Sequence, residues 1–130
     1  RFVLDATADF KDNDIVYSNE DEEIRTRLTR VTTDITDHLE KFQFHLASEK
    51  AYHYVWHELA DKILEESKEI LNGDDADARR ARQAVLRECL TTSLKLLHPF
   101  MPYITEAVWQ ELPKDMKDQD ILMVAKWPGC

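Results

Sequence analysis

Between Ala51 and Lys68 the apolar residues Tyr52, Trp56, Leu59 and Ile63 recur at steps of four, three and four, in a run without Gly or Pro. Residues so spaced share one side of an α-helix. Ala51 and Val55 widen that side, so the pattern predicts a helix buried over more than half its girth. It runs from about His45 to Leu71, and Asn72-Gly73 ends it, with Gly73 expected in the left-handed conformation common past helix ends. Upstream, Ile24, Leu28, Val31, Ile35, Leu39 and Phe42 keep similar spacing. They predict a helix from about Glu20 to Phe42, capped by Ser18 or Asn19, with acids in its first turn. The joint between these two helices, residues 41–44, has neither Gly nor Pro.

Further along, Asp74, Asp75 and Asp77 offer an N-cap for a helix from about Ala76 to Leu97. Ala81, Val85, Cys89, Thr92 and Leu96 lie on one face of it, and Leu86, Leu90, Leu94 and Leu97 on the next, as suits a helix central to a bundle. Pro99 stops it. Pro102 then suits the first turn of a short helix to about Leu112, with Ile104, Val108 and Leu112 inward. Residues 1–10 read as a helical end, 11–21 and 113–120 as polar loops, and 121–124 as a short extended segment within a C-terminal tail, 113–130. The expected fold is all-α: one domain over 1–130, an antiparallel helical bundle of four main helices plus a short C-terminal helix.

Composition supports helices, since only two Gly and four Pro occur in 130 residues. The net charge of −9 argues against non-specific nucleic-acid binding by the molecule as a whole, while leaving room for a local basic patch. Two cysteines without a CxxC suggest no disulfide framework and a reducing compartment, so a cytoplasmic location is expected. No apolar run is long enough to span a bilayer. The opening Arg1-Phe2-Val3-Leu4 reads as the tail of a helix already under way, and the chain is taken as an excised piece of a longer protein, expected to be monomeric.

Candidate chemistry is sparse. His45, Glu49, His53, His57, Asp61, Glu65 and Glu69 follow one another at steps of four. A His pair at that spacing can hold zinc, but the text is HYVWHE rather than HExxH, and such a row is more often the wet side of a helix. No metal is expected. His98 reads as a cap for the last carbonyls of its helix, and Cys89 as a small core residue. There is no Gly-rich phosphate loop, and no catalytic residue is assigned. The arginines are the better lead. Arg25, Arg27 and Arg30 crowd one helix, and Arg79, Arg80, Arg82 and Arg87 crowd another. Arginine suits phosphate and base-edge recognition, and Tyr17 or Phe2 can stack on a splayed base. The alternative is ion pairing with neighbouring acids, which is favoured for the second cluster and left open for the first.

The texts AYHYVWHELADKILEESK and LKLLHPFMPYITEAVWQEL, with the closing Trp127-Pro128, resemble the valyl-tRNA synthetase family within the valyl/isoleucyl/leucyl group of class I synthetases. The matching positions include Phe44, Ala47, Tyr52, Val55-Trp56, Glu58, Asp61, Glu65, Lys68, Leu96 to Pro102, Ile104-Thr105-Glu106 and Trp109. Arg1-Phe2-Val3-Leu4 resembles the tail of the family's Asn-Ala-x-Arg-Phe helix. The resemblance covers nearly the whole chain in order, and His98-Pro99 with Trp56-His57-Glu58 favours the valyl member over isoleucyl or leucyl. It departs at Asp61-Lys62-Ile63, where the family often has Asp-Trp-Tyr, and at Glu23, where it often has an aromatic residue. The catalytic texts His-Ile-Gly-His and Lys-Met-Ser-Lys-Ser are absent.

What the resemblance implies is an anticodon-binding helical domain whose partners are a tRNA anticodon stem-loop and the catalytic domain of the parent enzyme. That enzyme would join valine to its tRNA with ATP bound outside this piece. Arg1, Phe2, Arg25, Arg27 and Arg30 are the expected RNA-facing set. Trp56, Asp61 and Trp109 are expected to be structural, with the tryptophans buried and Asp61 paired in the interior. A helical protein-interaction bundle without RNA is the competing class, and a metal-dependent enzyme a third.

Overall fold

A computed structural model describes residues 3–4 and 15–128. Of the expected N-terminal helical end, Val3 and Leu4 are helical and the remaining positions lie outside the described residues. Helix α1 spans Asn19–Glu40. Its start is a capping box: Asp21 donates its N–H to the Ser18 hydroxyl (3.2 Å), and the Asp21 carboxylate accepts from the Ser18 N–H (3.0 Å). Leu28, Val31 and Ile35 are buried and Ile24 and Leu39 pack against them, as the stripe predicts.

Phe42 leaves that stripe. It has a φ of 59° and is 78% exposed. The Gln43 N–H donates to the His38 carbonyl (2.8 Å) and the Phe42 N–H to the Leu39 carbonyl (3.1 Å), the pair of hydrogen bonds that ends many helices on a left-handed glycine. Here a phenylalanine holds the left-handed place, supported by a 2.9 Å side-chain bond between His38 Nδ1 and Gln43 Oε1. Gly73 does not take that conformation, contrary to expectation. A Cβ there would lie 3.2 Å from the Glu69 carbonyl oxygen, so closeness to the helix end is what a side chain would disturb.

The central helix is continuous from Phe44 to Leu71 but not uniform. Helix α2 spans Phe44–His53, a π-helical stretch Tyr54–Ile63, and α3 Leu64–Leu71. Ala47, Ala51 and Tyr54 are buried, then Leu59, Ile63, Ser67 and Leu71. The step from Tyr54 to Leu59 is five. A π turn bonds i to i+5, as in the Leu64 N–H to the Leu59 carbonyl, and so holds an extra residue. This corrects the uniform period read from sequence. Tyr54 is the buried ring, while Tyr52 and Trp56 stack on one another with centroids 5.0 Å apart and stay 37% and 47% exposed. Asp61 is also exposed, with its carboxylate 4.0 Å from His57 Nδ1 and no interior partner among the described residues.

Helix α4, Ala76–Leu97, starts on Asp75, whose carboxylate accepts from the Asp77 and Ala78 N–H groups. It is apolar on two sides because it serves two clusters. Val85, Leu86, Cys89, Leu96 and Leu97 join the main core, and Leu94 joins Trp109, Leu112 and Leu122. Helix α5, Pro102–Gln110, turns Thr105 and Trp109 inward, so Ile104 is 60% exposed rather than buried. His98 fixes that phase: its Nδ1 lies 2.9 Å from the Thr105 hydroxyl, which itself donates to the Met101 carbonyl. The imidazole therefore ties two helices together instead of capping its own. Trp109 is fully buried, with its indole N–H on the Gln119 carbonyl (3.0 Å).

The expected extended segment 121–124 is a 3₁₀ turn, Leu122–Val124. In an all-helical neighbourhood a lone strand has no ladder partner, and here the Leu122 N–H is taken by the Glu106 carboxylate (3.0 Å).

Long-range pairs fix the directions. Asp34 meets Lys50 and Arg27 meets Glu58, so α1 and the central helix are antiparallel. Asp21 meets Arg82 and Arg25 meets Glu88, so α1 and α4 are parallel. The α1–α2 turn and the α4–α5 turn thus lie at one end of the bundle. The capped starts of α1 and α4 lie at the other.

Candidate nucleic-acid interface

Arg25, Arg27 and Arg30 do not form one patch. Arg25 leans toward α4, with Nε 3.0 Å from Glu88 Oε2, Nη1 3.5 Å from Glu22, and its guanidinium 4.4 Å from the Tyr17 ring centroid. Partial burial works against its charge, but Glu88, Tyr17 and Glu22 more than offset that and raise its pKa above the ordinary arginine value. Arg27 faces the central helix on the other flank and donates from Nε to Glu58 Oε1 at 2.8 Å. Arg30, three residues on, is exposed and has no ion pair among the described residues. Arg1 and Phe2 lie outside the described residues.

The Arg25 and Arg27 pairs are open to water, with arginine side chains 35% and 41% exposed. Such pairs contribute only about 0–1 kcal/mol, so an incoming phosphate or base edge can exchange for the carboxylate. Arg27 opens into a cleft of about 910 Å³ between the start of α1 and the π-helix and α3, lined also by Glu23, Lys62, Glu66 and Glu69. Glu58 Oε2 is buried there without a hydrogen-bond partner among the described residues. The cleft thus holds both donors and acceptors of the kind that unstacked bases use on their edges. Its excess of carboxylates repels backbone phosphate.

The second arginine cluster is structural, though less locally than expected. Arg80 pairs with Asp77 (3.6 Å), one turn away. Arg87 instead reaches Asp115 in the tail (2.9 Å). Arg82 is 1% exposed, donating from Nε to Asp21 (2.7 Å) and from Nη1 to Ser67 (2.9 Å). Sequence reading missed this triad because its members come from three helices, with no spacing to link them.

The histidine row does not gather. His53 and His57 stack with centroids 5.0 Å apart, and among the described residues no three His, Cys, Asp or Glu side chains converge. Cys89 is fully buried 3.6 Å from the Tyr54 hydroxyl, and burial pushes its thiol up to about 11. Among the described residues no helix is long and apolar enough to cross a membrane.

Comparison with known proteins agrees with this architecture. The family described as the anticodon-binding domain of tRNA ligase matches residues 21–129. A valine–tRNA ligase of Petrotoga mobilis is 41% identical over 98% of the chain, which spans 15% of that relative. One from Clostridium tetani is 39% identical over 86% of the chain and 12% of the relative. One from Bacillus thuringiensis subsp. konkukian is 34% identical over 98% and 15%. The chain therefore spans only a small part of the relatives it matches. A helical bundle with arginines beside a polar cleft, matched to this family along most of its length, belongs to the anticodon-binding domains of tRNA ligases.

Proposed function

We propose that the chain is the anticodon-recognising module of a valine–tRNA ligase, with Arg1, Phe2, Arg25, Arg27 and Arg30 facing the tRNA. The single supporting observation is the similarity to valine–tRNA ligases along 98% of the chain. In this reading the bundle is a rigid wall for the anticodon loop. Arg30 meets the RNA first, because it has no ion pair to break among the described residues. Arg25 and Arg27 follow by exchanging Glu88 and Glu58 for the ligand. Tyr17, already under the Arg25 guanidinium, is placed to stack.

Joining valine to tRNA with ATP belongs to the larger polypeptide, whose catalytic domain is the second partner. The module works as a monomer in the cytoplasm. An isoleucyl or leucyl origin is the alternative.

The test is binding to a valine tRNA anticodon stem-loop beside the same hairpin with a scrambled anticodon. Preference for the valine loop, lost in Arg25→Ala/Arg27→Ala/Arg30→Ala, supports the reading. Equal binding to both leaves charge attraction alone. A preference for an isoleucine or leucine loop reassigns the tRNA.

A further inference from the structure

The two ends of the bundle differ in kind. At one end, α1 and α4 begin on side-chain caps, Ser18 and Asp75, amid acids such as Glu20, Asp74 and Asp77. At the other, α2 and α5 both begin with no side-chain cap. The first N–H groups of a helix have no acceptor within it, and at Phe44, His45, Tyr103 and Ile104 no side-chain cap replaces one among the described residues. Large apolar side chains next to each start stand in solvent. Phe42 is 78% and Phe44 54% exposed, their rings meeting edge to face at 6.1 Å, while Tyr103 is 90% and Ile104 60% exposed.

Phe42 gives this end its sharpest feature. A left-handed backbone disfavours a phenylalanine, and glycine would serve the turn better. The ring gains little from the domain itself, since it stands in water. A strained residue presenting an apolar group outward points to a contact beyond the domain. RNA fits that contact poorly: residues 40–45 and 97–104 hold one lysine and no arginine, on a chain of net charge −9. A protein surface fits better. It would be apolar at its centre and carry acceptor oxygens for the open N–H groups of α2 and α5.

We propose that this apolar end is the seat for a surface elsewhere in the same synthetase polypeptide. The inference rests on the reading above that the chain is one module of a larger ligase. Relatives are far longer than this chain, which covers 15% of the Petrotoga mobilis enzyme, so most of such a polypeptide lies elsewhere. A tethered surface is present at high effective concentration, which favours it over a second copy of the chain.

Hydrogen exchange at Phe44, His45, Tyr103 and Ile104 tests the proposal, measured in the full-length polypeptide without tRNA and in the 130-residue chain. These amides should exchange about tenfold or more slowly in the full-length protein. Phe42→Gly/Tyr103→Ser should return them to the rate seen in the isolated chain. Phe42→Gly should leave the melting temperature of the isolated chain unchanged or raised, which separates loss of docking from loss of fold. Equal rates in the two proteins would overturn the proposal. So would protection that appears only when tRNA is added, which assigns the surface to RNA. Protection that grows with concentration of the isolated chain would assign it to a second copy. Hairpin binding by the isolated chain is read separately, so either idea can fail without the other.

Discussion

Arg82 is a cation with almost no contact with water, and its partners decide what it contributes. Asp21 takes its Nε, Ser67 takes Nη1, and Glu20 lies 3.7 Å from Nη2. Asp21 is at the same time the returning half of the α1 capping box. One carboxylate thus joins the start of α1 to the middle of the bundle. Arg82→Ala strands that carboxylate in the interior and should destabilise the chain by about 3–5 kcal/mol, read as the shift in urea unfolding. Asp21→Leu with Arg82→Met removes both charges and should recover most of the loss. The opposite sign is expected at Phe42. Glycine relieves the left-handed backbone while removing an exposed ring, so Phe42→Gly should stabilise by about 1 kcal/mol in thermal unfolding.

Within the central helix, the π-helical stretch decides which aromatic ring is buried. Tyr54→Ala should cost about 3–5 kcal/mol, and Trp56→Ala less than about 1 kcal/mol, measured by chemical denaturation. A uniform helical period gives the reverse ranking. That is why the register of this helix was not legible in the sequence: no residue type marks a π turn, and Tyr52, Trp56, Leu59 and Ile63 fit a plain α-helix equally well. What was legible rests on local chemistry. Ser18 and Asp75 cap helices because their short side chains reach the next free N–H groups, and Leu28, Val31 and Ile35 are buried because α1 is regular. Arg25, Arg27 and Arg30 were legible as a cluster of one residue type, but the division of Arg25 and Arg27 between two flanks depends on Glu88 and Glu58, which come from other helices.

The same interhelix packing sets an alkaline limit. Burial raises the pKa values of Cys89 (to about 11) and of Tyr54, so both stay neutral in the fold after the unfolded chain has begun to ionise. A raised acid contributes stability that is complete below its unfolded pKa and is lost as pH rises, here from about pH 8.5 upward. Cys89→Ala should flatten that alkaline fall in a series of melts. Asp34 runs the other way. Its hydrogen bond to Lys50 lowers its pKa, so its contribution is present above about pH 4 and fades as pH falls further.

Taken whole, the molecule sets an acidic, capped end against an apolar, uncapped one, with the arginines along α1 between them. If Arg25 and Arg30 are the phosphate contacts and Arg27 meets a base edge in its acidic cleft, hairpin affinity should fall with salt at a log–log slope of about −1.4. A much steeper slope would require further phosphate-binding cations.

The tail closes this architecture. The Trp127 indole N–H donates to the Thr36 hydroxyl (2.9 Å), bridging 91 positions of sequence, and the tail also supplies Leu122 to the second cluster. Proteins are synthesised from the N-terminus, at roughly 5–20 residues per second on the ribosome. The helices have therefore been made for several seconds before their closing tryptophan leaves the exit tunnel. Until then the side of α1 at Thr36 lacks its tryptophan and the second cluster lacks Leu122, so apolar surface that the finished domain covers stays open during synthesis.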